Sequence, residues 1–404
     1  MVAGNENDEQ EEAPTREDFA RLFLEELQRL PRPQASKYLP ESFQIQGSKD
    51  QIISLTNYFA EYCRLPPADR AAYLKSVVRV SATADTKIAA DFEEAREHLR
   101  PKVWLRAALE FSELQMRVRQ GSDKRLSTPQ YEIGSHLLAS LVYDLPESMR
   151  SIAEDELSDW GVSYYEALEI ARENLQHQPF QIARLGEGLY ATATGDSYDG
   201  CRLLLPNLLD QLEVRGEMIA LVASRDMLLI TGSDDDEGLA GMLILAKQAE
   251  DDPRPMSLVP IRREGDTWCD WLPPRDHKLY PGFKELATIF LSGLYHQQKE
   301  LLEALDQKQG NDRFVATYSA IQRDEVGLVE TFAVWSEGVV SLLPKTDLLA
   351  FFSPERGTLG FGRWEDVERV AGHLLNPTDE YPLRYLVDEF PTQEQIQEMG
   401  LVAG

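Results

Sequence analysis

Cysteine is scarce in this sequence, and long apolar runs are missing. The 404 residues contain three cysteines, Cys63, Cys201 and Cys269, which lie far apart and form no Cys-x-x-Cys pair. Pairs of that spacing hold structural zinc or form redox dithiols, so neither site is predicted, and we expect three reduced, mostly buried thiols. No apolar run approaches the ~18 residues that a membrane-spanning helix requires. We therefore expect a soluble protein without a membrane partner.

Positive charge is also scarce. The chain has 41 Lys and Arg against 69 Asp and Glu, a net charge of −28. It has no run of five or more basic residues, so the electrostatic footprint of a nucleic-acid-binding protein is missing, and anionic membrane surfaces are disfavoured as well. The first residues lack the basic start and the apolar stretch of a secretory signal, so we expect a cytoplasmic protein. The partner that such a charge would attract is a basic protein.

Apolar residues make up 43% of the chain, which is enough for two or three compact domains. We predict an α+β fold with mixed or antiparallel sheets, hairpins and packed helices. Residues 1–14 carry five acids and no aromatic residue, which predicts a disordered acidic arm. The remaining pattern predicts a mostly helical domain over 15–125, a central α+β domain over 126–275 and a C-terminal α+β domain over 276–404.

Two stretches of the chain echo each other. Residues 216–228 and 337–349 each read as a strand, a polar turn ending in aspartate and a second strand, and each precedes a predicted helix and a strand that starts with proline. The echo suggests that the C-terminal domain is a diverged copy of the central one, which would give both domains the same strand order. Generic α+β hairpins are the alternative explanation.

Two polar motifs of the central region are predicted to be structural. Gly186-x-Gly188-x-x-Ala191 has the glycines of a dinucleotide fingerprint, but a β-like stretch follows where the fingerprint needs a helix, so a hairpin turn is predicted. The acids at 234–237 precede a predicted helix over 237–249. They do not fit a calcium loop, whose glycine and glutamate positions hold Leu239 and Leu245, so a helix N-terminal cap is predicted.

Two other segments carry residues of chemical interest. Residues 196–202 place two acids, a hydroxyl, a thiol and a guanidinium at the start of a predicted helix over 197–212, and residues 224–226 lie at the tip of a predicted hairpin. Helix starts bind anions and lower thiol pKa values, but no histidine lies nearby in sequence to act as a base, so ordinary capping is the alternative. Another helix is predicted over 146–158. The candidate polar site consists of Asp196, Asp199, Arg202, Ser224, Arg225 and Asp226.

Several runs between residues 15 and 275 together resemble a known family. They are Leu141–Asp144 with Glu156–Val162, Ala171–Leu175, Asp196–Leu204 and Ile219–Ile230. In these runs the chain resembles the YtpQ-like family of bacterial proteins, a domain of unknown function, and residues 276–404 extend beyond that family's usual end. The resemblance implies an α+β cytoplasmic protein, and it carries over no catalytic residue.

Two classes of function follow from these observations. The first is a non-enzymatic, cytoplasmic protein-interaction module that binds a basic protein partner, of which an immunity or antitoxin-like protein is one version. The alternative is a hydrolase or metal-dependent enzyme that uses carboxylates of the central domain, since paired carboxylates can divide acid and base roles. The six histidines show no metal-binding spacing, so no metal site and no cofactor are predicted. The oligomeric state is not predicted.

Overall fold

The fold is known from a computed structural model. It describes residues 14–31, 35–47, 52–82, 88–121, 129–145, 148–192, 194–250, 252, 255–322 and 328–401. The predicted acidic arm lies, apart from Pro14, outside the described residues. The α+β class is confirmed. Within the described residues, no helix is both long and apolar enough to span a bilayer.

The helices and strands alternate irregularly along the chain. The helices are α1 (Arg16–Gln28), α2 (Thr56–Arg64), α3 (Pro67–Ala82), α4 (Phe92–Ala95), α5 (Arg106–Gln120), α6 (Glu154–Trp160), α7 (Tyr164–Gln176), α8 (Pro206–Leu209), α9 (Asp236–Ala249), α10 (Tyr280–Gln309), α11 (Trp364–Ala371) and α12 (Gln393–Glu398). The first eleven strands are β1 (Lys37–Leu39), β2 (Gln44–Gln46), β3 (Ile52–Ser54), β4 (Leu99–Leu105), β5 (Tyr131–Ile133), β6 (Leu137–Leu145), β7 (Ser148–Ser151), β8 (Ile182–Arg184), β9 (Tyr190–Thr192), β10 (Met218–Ser224) and β11 (Met227–Gly232). The others are β12 (Ile261–Glu264), β13 (Thr267–Asp270), β14 (Phe314–Val315), β15 (Ser319–Gln322), β16 (Val329–Ser336), β17 (Ser341–Pro344), β18 (Leu348–Ser353), β19 (Gly357–Arg363), β20 (Asn376–Pro377) and β21 (Arg384–Val387).

The chain divides into two compact units. The smaller comprises residues 1–99, 142–152 and 251–254, and the larger comprises the rest. In the smaller unit, α1 begins where the Thr15 hydroxyl accepts a hydrogen bond from the Asp18 N–H at 3.1 Å, as a helix cap should. Helices α1 and α3 pack over the antiparallel sheet β1-β2-β3, and their shared apolar core includes Phe19, Phe23 and Val78.

An antiparallel sheet of six strands lies at the centre of the larger unit. Its strand order is β13-β12-β10-β11-β9-β8. Both predicted hairpins are present, since β8 pairs with β9 around Gly186 and Gly188, and β10 pairs with β11. Helices α9 and α10 cover the sheet with an apolar core that includes Leu221, Leu239 and Phe283.

The C-terminal part of the larger unit has two sheets of four strands, β14-β17-β21-β20 and β15-β16-β18-β19. Strands β17 and β18, which include residues of the second of the two similar segments (337–349), therefore lie in different sheets. Strands β10 and β11, which include residues of the first segment (216–228), are neighbours in one sheet. The Asp347 carboxylate accepts hydrogen bonds from the N–H and the hydroxyl of Thr331 on β16, both at 2.8 Å, which ties the residue before β18 to β16, the strand that pairs with β18. The same strand order that a duplication would predict is not found among the described residues.

Two of the predicted helices are wrong. The segment predicted as a helix over 146–158 contains β7, and its helix, α6, begins only at Glu154. The segment over 197–212 forms a 3₁₀ helix, Gly200–Leu204, followed by the single turn α8. Pro206 has no N–H to continue a helix, and it keeps Leu205 outside the α region at ψ 88°.

Candidate functional site

The first half of the predicted polar site is a closed network of charges. The Arg202 side chain is completely buried and donates hydrogen bonds to both neighbouring carboxylates. Its Nη2 lies 2.7 Å from Asp196 Oδ2, and its Nη1 lies 3.2 Å from Asp199 Oδ1. The guanidinium carbon also stands 5.1 Å from the centre of the Phe180 ring, within cation–π range. We call Asp196, Asp199 and Arg202 the Arg202 network.

Backbone N–H groups also donate hydrogen bonds to the two carboxylates of the Arg202 network. Asp199 accepts hydrogen bonds from the N–H groups of Thr194 and Gly195, at 3.0 and 2.7 Å, and Asp196 accepts one from the Tyr198 N–H at 2.9 Å. Burial alone would raise the pKa of Asp196, but the hydrogen bonds from Arg202 and Tyr198 hold that pKa below its ordinary value. The Asp196 carboxylate is therefore held in its ionised form, and the hydrogen bonds of both carboxylates hold the loop in shape.

The second half of the predicted site touches the first through the backbone. The Gly200 N–H donates to the Arg225 carbonyl at 3.3 Å. A β-carbon at Gly200 would lie 2.8 Å from Val222 Cγ1, so this approach requires glycine. Ser224 is buried within β10, and the partly exposed Arg225 side chain lies 3.6 Å from Asp226 Oδ2. The structure thus brings the two segments together as a packing contact.

The cysteines differ from the expectation. Cys201 is buried, and its sulfur accepts a hydrogen bond from the Val103 N–H at 3.3 Å. Burial raises the pKa of its thiol, which disfavours the nucleophilic thiolate. Cys63 and Cys269 are exposed, so the prediction that the thiols are mostly buried is wrong for these two. All three are free, as expected.

The two other motifs are structural, as predicted. Gly186 and Gly188 both have positive φ in the turn of the β8–β9 hairpin. Asp235 caps α9 by accepting the Gly238 N–H at 3.0 Å, and it pairs with Arg215 at 2.9 Å. Among the residues that the structure describes, no cluster of three or more His, Cys, Asp or Glu could hold a metal ion.

Sequence reasoning missed a cavity of about 340 Å³ in the larger unit. We call it the His136 cavity. Its lining residues come from the turn after β5, from the segment before β12, from the end of β13, from α10 and from the residue before β15. Because these segments lie far apart in the chain, no local sequence pattern marks the cavity. The polar and aromatic residues of its wall are His136, Asp270, Trp271, Lys284, Thr288 and Tyr318.

His136 links two other side chains at this cavity. Its Nδ1 lies 2.8 Å from the Tyr381 hydroxyl and its Nε2 lies 3.7 Å from Asp270 Oδ2. Burial lowers the pKa of His136, an effect that Arg106 reinforces and Asp270 opposes, and burial also raises the pKa of Tyr381. A neutral imidazole that accepts the phenol proton at Nδ1 carries its own proton on Nε2, facing Asp270.

A second cavity of about 470 Å³ runs beside α7. Its walls include Tyr131, Tyr165, Leu168 and Trp268, and we call it the α7 groove. The helices α6 and α7 also bear exposed carboxylates, which we together call the acidic face. The acidic face consists of Glu154, Asp155, Asp159, Glu166, Glu169 and Glu173.

Comparisons with protein-family models, with curated proteins and with solved structures give no match. The resemblance to the YtpQ-like family therefore stays a prediction.

Proposed function

We propose that this protein is a non-enzymatic, cytoplasmic interaction module that binds a basic protein partner through the acidic face and the α7 groove. One observation carries the proposal, namely that α7 bears exposed carboxylates together with an exposed aromatic ring at the wall of an apolar groove. Neutralisation of a basic effector, in the manner of an immunity protein or an antitoxin, is one form that this binding would take.

Charge supports the acidic face as the docking surface. Residues 151–183 contain seven acids and one basic residue, Arg172, which lies 2.6 Å from Glu169 and is thereby neutralised. A negatively charged surface on a chain of net charge −28 speeds the approach of a basic partner and makes the stability of the complex sensitive to salt. Helix α7 itself is held firmly, because Tyr164 donates a hydrogen bond to the Ala139 carbonyl at 2.7 Å.

The α7 groove supplies the apolar anchor that charge alone cannot provide. Tyr165 is 66% exposed and contacts Tyr164 edge-on at 5.4 Å, so its ring is available to a partner and held in orientation. The arginines in the groove wall are neutralised, Arg172 by Glu169 and Arg263 by Asp210 at 2.6 Å. An aromatic anchor beside a charged rim is the usual anatomy of a protein interface. The fitting partner has a basic segment that carries an apolar side chain.

The alternative of a carboxylate enzyme is supported less well. It would need Asp196 or Asp199 to act on a substrate, and both carboxylates are engaged with Arg202 and with backbone N–H groups. Release of either one would remove one of the two carboxylates that pair with the buried guanidinium of Arg202, which is costly.

The test compares two variants of equal net charge. The first replaces four residues of the acidic face with amides and consists of Glu154→Gln, Asp159→Asn, Glu166→Gln and Glu173→Gln. The control replaces four exposed acids elsewhere on the larger unit and consists of Glu300→Gln, Asp312→Asn, Glu355→Gln and Glu394→Gln. Each variant has four fewer negative charges than the parent, so a difference between them reports position rather than total charge.

Tagged parent and variants are used to capture proteins from the native host at low and at high salt. We expect a basic protein that the parent and the control retain at low salt, that the acidic-face variant loses, and that Tyr165→Ser weakens. The captured protein is then purified, and its affinity for each variant is measured by calorimetry. Equal recovery by the acidic-face variant and the control would refute the proposal.

A further inference from the structure

The His136 cavity has the size of a small-molecule site. Its volume of about 340 Å³ lies at the lower end of the range for ligand pockets. Rigid elements form its walls, since Asp270 and Trp271 lie at the end of β13, and Lys284 and Thr288 lie on α10. A site on such elements is largely formed before a ligand arrives.

The aromatic walls of the cavity are held in place from behind. The Trp271 ring meets Phe283 edge-on at 6.3 Å, and Tyr318 stacks on Tyr295 at 4.8 Å with an angle of 15° between the rings. Rings that are already supported lose little freedom when a ligand binds. The Trp271 and Tyr318 rings thus present a flat apolar surface to a ligand that enters the cavity.

Asp270 has acceptor capacity that the protein does not use. Its Oδ1 accepts the Ser135 N–H at 2.8 Å, but its Oδ2 lies 3.7 Å from His136 Nε2, too far for a hydrogen bond of full strength. The side chain is 32% exposed although it lines the cavity. The Oδ2 atom therefore remains able to accept hydrogen bonds from a ligand.

The other polar groups of the cavity decide the charge of the ligand. Lys284 Nζ lies 2.7 Å from Asp347 Oδ2, so that pair cancels, and burial keeps His136 neutral by lowering its pKa. Asp270 is left as the uncompensated charge of the wall. Thr288 adds a buried hydroxyl that makes no hydrogen bond of good geometry and has the Tyr318 hydroxyl as its polar neighbour.

We propose that the His136 cavity binds a small organic amine with a flat apolar body, whose ammonium group pairs with Asp270 Oδ2 while its ring packs against Trp271 and Tyr318. The Thr288 hydroxyl provides a second polar contact for the ligand. This inference is independent of the basic protein partner, because it uses none of the residues of the acidic face or the α7 groove.

The test uses 2-phenylethylamine and tryptamine as probes, with 2-phenylethanol and 3-phenylpropionate as neutral and anionic analogues. Binding is followed by ligand-observed saturation-transfer NMR, and affinities by calorimetry. We expect both amines to bind, the alcohol to bind about tenfold more weakly because it lacks the charge-assisted hydrogen bond, and the carboxylate not to bind. If neither amine binds, or if the carboxylate binds as well as the amine, the proposal is wrong.

Variants locate the binding within the molecule. Asp270→Asn keeps the acceptor for Ser135 but removes the charge, and we expect at least a tenfold loss of amine affinity with little change for the alcohol. Asp276→Asn is the matched control, since this exposed residue lines neither the His136 cavity nor the α7 groove. If Asp270→Asn does not fold, Thr288→Val serves in its place, with an expected loss of a few fold. Unchanged amine affinity in the folded variant would overturn the proposal.

Discussion

The Arg202 network and the His136 cavity both contain buried charged or polar groups, yet they differ in which hydrogen-bonding atoms are left unused. Both Nη atoms of Arg202 donate to carboxylates that also accept backbone N–H groups, so these carboxylates are engaged within the protein, although the buried Nε of Arg202 has no hydrogen-bond partner. At the cavity, Asp270 Oδ2 lies 3.7 Å from the neutral His136 ring and beside open space. The comparison teaches that the segment richest in charged and reactive side chains, residues 196–202, has a structural role in this protein. The open site, in contrast, is assembled from residues that lie far apart in the sequence.

The largest expected effect is on the Arg202 network. Arg202→Met removes the cation and leaves the completely buried Asp199 without its partner, and we expect a loss of about 3–5 kcal/mol in the free energy of unfolding. Urea denaturation measures it. A loss below about 1 kcal/mol would mean that the network is not structural, and the comparison with the cavity would collapse.

The contact between the network loop and the β10–β11 hairpin tip gives the next largest effect. Gly200→Ala places a β-carbon 2.8 Å from Val222 Cγ1, and we expect this overpacking to cost about 1–3 kcal/mol. Gly293→Ala on α10 is the control, because its β-carbon would meet nothing within 4 Å and alanine favours a helix by about 0.5–1 kcal/mol. Thermal and urea unfolding of both variants should show opposite signs, and equal signs would refute the contact.

A smaller effect is expected from pH at the His136 cavity. The groups that face His136 are Asp270, Arg106, the Tyr381 hydroxyl and the Phe290 ring. Because burial lowers the pKa of His136, the unfolded chain binds a proton near pH 6.5 that the folded protein takes up only at lower pH. The contribution of His136 to stability is therefore complete above about pH 6.5 and falls as the pH drops from there towards the folded pKa.

The measurement is urea denaturation of the parent and of His136→Gln over that pH interval. The parent should lose more stability on acidification than the variant, whose side chain does not titrate. Parallel pH profiles would show that His136 is not the group responsible.

The smallest effect is expected at the hairpin tip. Asp226→Asn alters an exposed pair whose closest atoms are 3.6 Å apart, and we expect a change within about 0.5 kcal/mol. A larger loss in the free energy of unfolding, measured by urea denaturation, would indicate that Asp226 is coupled to the Arg202 network. The six residues of the candidate polar site would then act together.

Prediction from the sequence succeeded where a structure depends on residues close along the chain. The α+β class, the hairpin turn at Gly186 and Gly188 and the cap at the start of α9 are examples, and the turn and the cap depend on backbone geometry and on a hydrogen bond across three residues. The helix predicted over 197–212 is wrong because Pro206 cannot donate a backbone hydrogen bond and keeps Leu205 outside the α region.

The sequence by itself determined the class of fold, the acidity and the residues at 196–202 and 224–226 that could carry chemistry. Only the tertiary structure decided that Asp196 and Asp199 pair with Arg202 and that β17 and β18 enter different sheets. It likewise brought His136, Asp270 and Tyr381 to one cavity. The physical reason is that turns and caps form between neighbours in the chain, whereas burial, ion pairing and open space arise when distant segments pack, and no spacing within the sequence encodes them.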